Sequence, residues 1–229
     1  MATTPTQQQS FPEPGGPDPE NEQVEFVSEV LDLNQNMWAQ VLPARLGTQY
    51  RPATLTLFRD AIQSACGFAQ AATGPFYCPA DEKVYIDLGF YNELHRRFGA
   101  PGDFAQAYVL AHEVGHHVQT VLGISRQVRQ LQSQNPRQAN QYSVAMELQA
   151  DCLAGIWAQT AAQQGRLEPG DIEEGLGAAA AVGDDRIQKM SGKRYINPES
   201  FTHGSAAQRA EWFRRGFSTG DPDSCDTFG

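Results

Sequence analysis

Long apolar runs are missing from this chain of 229 residues. Without a stretch of about 18 apolar residues, no segment is suited to cross a bilayer as a helix. Positive charge is also scarce: 17 Lys and Arg stand against 27 Asp and Glu, for a net charge of −10. No basic stripe releases counterions, which excludes nucleic acids and anionic membrane surfaces as partners. CxxC pairs are absent, so zinc ribbons and thioredoxin-like motifs are excluded. The first residues, Met1 to Glu20, lack the basic and apolar parts of a signal peptide. No internal repeat is present.

What remains is a chain long enough to bury one core, so a single domain over 21–229 is expected, preceded by a disordered leader or linker remnant over 1–20. The four cysteines, Cys66, Cys78, Cys152 and Cys225, allow three pairings. Cys66 with Cys78 and Cys152 with Cys225 is the favoured set, which argues for an oxidising, extracytoplasmic compartment. The alternative is four reduced, buried thiols in a cytosolic protein.

Apolar spacing predicts a helix over 22–42 that ends at Pro43. Between 52 and 90 the pattern turns to β-branched and aromatic residues, giving two or three short strands, with ATLTLF (53–58) and KVYIDLGF (83–90) the clearest. Val84, Ile86 and Leu88 alternate with Tyr85 and Asp87, as in a strand with one buried face. Helices follow: from Asp103, capped with Gln106, to Leu122; across the polar stretch 125–141; from Val144 to Gln164; from Ile172 to Val182, with Asp171 and Glu174 as a capping pair; and from Ser205, paired with Gln208, to Thr219. The sum is a mainly helical α+β domain with a small N-terminal β-sheet.

Three of the five histidines stand in AHEVGHHVQ (111–119). His112-Glu113-Val114-Gly115-His116 matches HExxH: the two imidazoles lie about 40° apart on one helical face, suited to a zinc ion, with Glu113 between them as a base toward a water at the metal. His117 is turned about 140° from His112 and is set aside as a ligand. A metzincin would need glycine at 119 and histidine at 122, where this chain has Gln119 and Leu122. Glu147 and Asp151, four residues apart inside MELQADCLAGIW, are the better candidates, Glu147 as third ligand and Asp151 as acceptor for the far ring N–H of a ligating histidine. A cysteine as third ligand is disfavoured, since Cys152 lies off the face of Glu147. His203 is a candidate oxyanion donor, and Arg209 a candidate for orienting an acid or the substrate. KVYIDLGF is a candidate edge for pairing with an extended substrate.

The stretches AHEVGHHVQ, ELQADCLAGIW, LEPGDIEEGL, GDDRIQ, SFTHGSAAQRAEWFRRGF and GDPDSCDTF together resemble the bacterial neutral zinc metallopeptidases of the YpfJ-like family, over nearly all of 22–228. The resemblance implies a zincin-like (gluzincin) domain with one catalytic Zn2+ on His112, His116 and Glu147, and Glu113 as the catalytic carboxylate. His203 and Arg209 are similar to the histidine and arginine pair of HtpX-like and CAAX prenyl protease gluzincins. The family implies a peptide or unfolded protein as substrate and an N-terminal membrane anchor ahead of an extracytoplasmic catalytic part. A catalytically silent zinc domain that binds a protein or peptide is the alternative.

Overall fold

The structure, a computed structural model, describes residues 19–70, 74–90, 102–192 and 195–228. The leader expected over 1–20 lies outside the described residues, apart from Pro19 and Glu20, which begin the first helix. The described residues form an α+β molecule, mostly helical, with a small sheet near the N-terminus.

Helix α1 (Pro19–Leu46) runs past Pro43, which lies inside it. The proline removes one backbone donor but does not stop the helix. Termination comes at Gly47, whose φ of 63° is cheap only for glycine. Val27, Val30, Leu31, Trp38 and Leu42 turn the buried face of α1 into the core.

Strands β1 (Thr54–Phe58), β2 (Ala61–Ser64), β3 (Gly67–Gln70), β4 (Phe76–Cys78) and β5 (Lys83–Asp87) follow. The hairpin β2–β3 stands apart from a three-stranded sheet of order β1-β5-β4, in which β1 runs parallel and β4 antiparallel to β5. β5 is therefore the central strand. That corrects two expectations: Tyr85 and Asp87 are buried together with Val84 and Ile86, and both edges of β5 are taken, so it cannot add a substrate strand. The Asp87 carboxylate is satisfied by the backbone N–H groups of Asp60 (2.7 Å) and Gly89 (2.7 Å), which fixes the turns at the end of the sheet.

The helices that carry the site come next: α2 (Asp103–Val121), α3 (Ile124–Gln134), α4 (Ala139–Gln163), α5 (Asp171–Ala181), α6 (Asp184–Met190) and α7 (Ala206–Thr219). α2 is central and packs on α1, α4 and α5. Its start carries no side-chain cap; Gly102 is the N-cap, in place of the expected Asp103 and Gln106 box. α5 likewise starts from Gly170, and the Asp171 carboxylate instead accepts from the backbone N–H of Glu168 (2.8 Å). α4 begins at Ala139, fed by a 3-10 turn over Pro136–Gln138, and α6 was not foreseen. The capping box of Ser205 and Gln208 at the start of α7 is present.

α4 and α7 cross with backbones in contact. A Cβ on Gly216 would lie 1.8 Å from the Cys152 carbonyl oxygen, and one on Gly155 2.1 Å from that of Phe213. Disulfides join Cys66 to Cys78 and Cys152 to Cys225, a pattern that fits an oxidising compartment. No helix among the described residues is long and apolar enough to cross a membrane.

Candidate metal centre

Two helices bring three donors to one point. α2 carries His112 and His116 one turn apart, and α4 carries Glu147 opposite them. The Nε2 of His112 lies 3.1 Å from one Glu147 carboxylate oxygen, and the Nε2 of His116 lies 3.5 Å from the other. All three offer a ligand atom within 4.8 Å of one another. The close approach of the helices depends on Gly115, since a Cβ there would meet the Ala150 carbonyl oxygen at 3.0 Å.

The far ring nitrogens are held by different partners. Nδ1 of His112 donates to Asp151 at 2.9 Å, and Nδ1 of His116 donates to the Gln119 side-chain oxygen at 2.9 Å. Both rings therefore turn Nε2 toward Glu147, the orientation a metal ligand needs. Two imidazoles and one carboxylate, with edges still partly open to solvent, are the donor set of a catalytic zinc site once the Nε2 protons are given up, so the residues fit one divalent ion.

Asp151 has no solvent exposure. Besides His112, its carboxylate accepts from the Tyr108 hydroxyl and from Arg209, through Nε at 2.8 Å and Nη2 at 2.9 Å. Burial by itself raises the pKa of Asp151, but Arg209 and His112 outweigh it and hold the carboxyl below its usual range. For His112, burial works toward the neutral ring, yet Asp151 and Glu147 prevail and raise its pKa to about 9. Glu147, buried between two imidazoles, is held well below the usual carboxylate range by His116 and His112 against the cost of burial.

Glu113 is 8% exposed and sits next to the donor set. Burial raises its pKa, while the two histidines and a backbone hydrogen bond from Tyr77 moderate the rise. Tyr77 belongs to β4, an edge strand among the described residues, so the free edge of the sheet lies against the Glu113 turn of α2. His117 is fully buried and joins this contact, bonding the Tyr77 hydroxyl at 3.0 Å and the Arg51 carbonyl. It fastens α2 to the sheet.

Arg209 is buried rather than open to a substrate; it positions Asp151 and lies along the His112 ring, with Nη2 3.3 Å from Nδ1. His203 is exposed and makes no contact with the three donors among the described hydrogen bonds and ion pairs. Its Nδ1 meets Asp184 at 3.2 Å, and the Asp184 carboxylate also gathers the backbone N–H groups of Thr202 (2.7 Å), His203 (2.6 Å) and Gly204 (3.0 Å). Asp184 thus shapes the loop that presents His203.

Sequence reasoning passed over Tyr108, Gln119, Gln149 and Asp184. Tyr108 and Gln119 lie four and three positions from a histidine on the same helix, a spacing that could have found them. Nothing in the spacing of Asp184 points to His203. A second acidic group, Asp103, Asp171 and Glu174, lies away from the histidines and is partly exposed.

The fold and site define a mostly helical α+β protein with an HExxH helix and a donor set fit for one zinc ion. The chain belongs to the family described as "Putative neutral zinc metallopeptidase", whose model matches residues 1–228. It is similar to "Uncharacterized protein YpfJ" of Escherichia coli (strain K12), 53% identical over 212 residues that cover 92% of this chain and 73% of the relative. It is also similar to "Uncharacterized protein Mb2605" of Mycobacterium bovis, 45% identical over 203 residues that cover 84% of this chain and 66% of the relative. No solved structure matches.

Proposed function

We propose that this chain is a zinc-dependent metallopeptidase of the gluzincin type, with His112, His116 and Glu147 as zinc ligands and Glu113 as the residue that moves the proton. The observation that carries the reading is the pairing of both Nε2 atoms with the Glu147 carboxylate while both Nδ1 atoms are held from behind. When bound, zinc supplies a Lewis acid that polarises a carbonyl and makes a water acidic near neutral pH. Glu113 takes the proton of the attacking water and returns it to the leaving amine nitrogen. Its burial serves this task, because a carboxylate with a raised pKa is a stronger base near neutrality. His203, on the loop that Asp184 shapes, offers a ring N–H to the developing oxyanion.

The substrate is a peptide or unfolded protein in extended form, laid along β4, an edge strand among the described residues, beside Glu113, in place of the occupied β5. Helix α1 and the elements after it act as one catalytic domain, and the two disulfides support an extracytoplasmic setting. The test is hydrolysis of an unstructured protein such as casein. The wild type should cleave it, lose activity to a chelator and regain it with zinc, while Glu113→Gln should retain zinc and lose turnover by roughly a hundredfold or more. Zinc uptake with no hydrolysis by the wild type would contradict the peptidase reading and favour a silent binding domain.

A further inference from the structure

The two ligand histidines are braced from opposite sides. His112 leans on a charged cluster of Asp151, Arg209 and Tyr108. His116 leans on a neutral chain of amides that ends at the C-terminal disulfide. The Gln119 oxygen takes the His116 Nδ1–H, and the Gln119 Nε2 donates to the Met146 carbonyl at 2.8 Å and to the Gln149 side-chain oxygen at 3.0 Å. Gln149 Nε2 then donates to the Cys225 carbonyl at 3.1 Å. Because both Gln119 amide hydrogens have acceptors, its oxygen has to face the histidine, which fixes the ring tautomer. Gln119 is fully buried and Gln149 is 7% exposed, so water offers no ready substitute for these bonds.

The acceptors are telling. Met146 directly precedes Glu147, so one amide grips His116 on α2 and the turn of α4 that holds the third donor. The tail grips this helix twice more: Thr227 donates to the Ala145 carbonyl at 2.7 Å, beside Met146, and Cys225 is bonded to Cys152, more than a turn further on. Cys152 and Cys225 are both buried.

We propose that Gln119 and Gln149 are positioning residues that couple the disulfide-anchored C-terminal tail to His116, so that the tail sets how tightly the three donors hold a divalent ion. The inference rests on the reading of His112, His116 and Glu147 as a zinc site. Its test is zinc affinity of the full chain, measured by competition with a chromophoric chelator, alongside nitrogen NMR of the histidine rings to read the His116 tautomer. Gln119→Leu should weaken zinc roughly 10- to 100-fold and release the tautomer. Gln149→Leu and the Cys152→Ala/Cys225→Ala pair should each weaken it less, and combined should lose no more than the larger of the two, because they break one chain of bonds. Thermal melts check folding; if Gln119→Leu fails to fold, Gln149→Leu carries the test. Folded variants that stay within about twofold of wild-type affinity with an unchanged tautomer would overturn the coupling, as would fully additive losses. A wild type that takes up no zinc would overturn both this inference and the zinc reading, whereas a zinc-binding wild type with indifferent variants overturns the coupling alone.

Discussion

Asp151 accepts from an imidazole, a phenol and a guanidinium with no exposure to water, and each partner depends on its charge. Replacing it with asparagine leaves buried Arg209 with only the more distant Glu147 carboxylate, at 3.8 Å, as a counter-charge, a loss that costs about 3–5 kcal/mol. Asp151→Asn should therefore lower stability by that amount in urea denaturation; a loss under about 1 kcal/mol would show the cluster to be incidental. The same carboxylate raises His112 to about 9, and zinc must displace that proton. As pH falls below about 9 the protonated fraction grows, so apparent zinc affinity should decline, by up to about tenfold per pH unit for each proton displaced. Competition titrations between pH 6 and 9 check this, and a flat profile would contradict it. At this scale much was legible: HExxH and the four-residue spacing of Glu147 and Asp151 follow directly from helix periodicity. Arg209 was visible only as a cation near a helix start, because what buries it, Val182 and Tyr108, comes from distant parts of the chain.

At the scale of elements, the site depends on how closely three helices approach. α2 meets α4 through Gly115, and α4 meets α7 through Gly155 and Gly216. A methyl group on Gly216 would overlap the Cys152 carbonyl and push α7 outward, and with it Arg209. Gly216→Ala should cost about 1–3 kcal/mol, the usual range for overpacking, measured as a lower Tm with a parallel loss of zinc affinity. An unchanged Tm would show that the helices have room to spare. Most helices were legible from apolar spacing, though not the short α6, and ends were less so. Pro43 falls where α1 tolerates one lost bond, and α4 gains a turn from Pro136–Gln138 that carries no apolar signal. The place of β5 in the sheet was not legible, since strand order arises from pairing between segments far apart in sequence.

For the whole molecule, the Cys152–Cys225 bond closes a long loop, with a sequence separation of 73. Chain entropy assigns such a crosslink about 4 kcal/mol, against about 3 kcal/mol for Cys66–Cys78 with its separation of 12. Removing the longer one by Cys152→Ala/Cys225→Ala should cost more stability in urea than removing the shorter, and the reverse order would contradict the entropic account. The long tail bond and the hydrogen bond from Thr227 to the Ala145 carbonyl together hold the tail on the helix that carries Glu147.

The central claim is that one ion is held by His112, His116 and Glu147. Anomalous diffraction at the zinc absorption edge from crystals of the zinc-loaded protein measures it directly. The account predicts a single strong peak about 2.0–2.2 Å from the Nε2 atoms of both histidines and from a Glu147 oxygen. A peak at Asp103, Asp171 and Glu174 instead, or none within reach of Glu147, would contradict it.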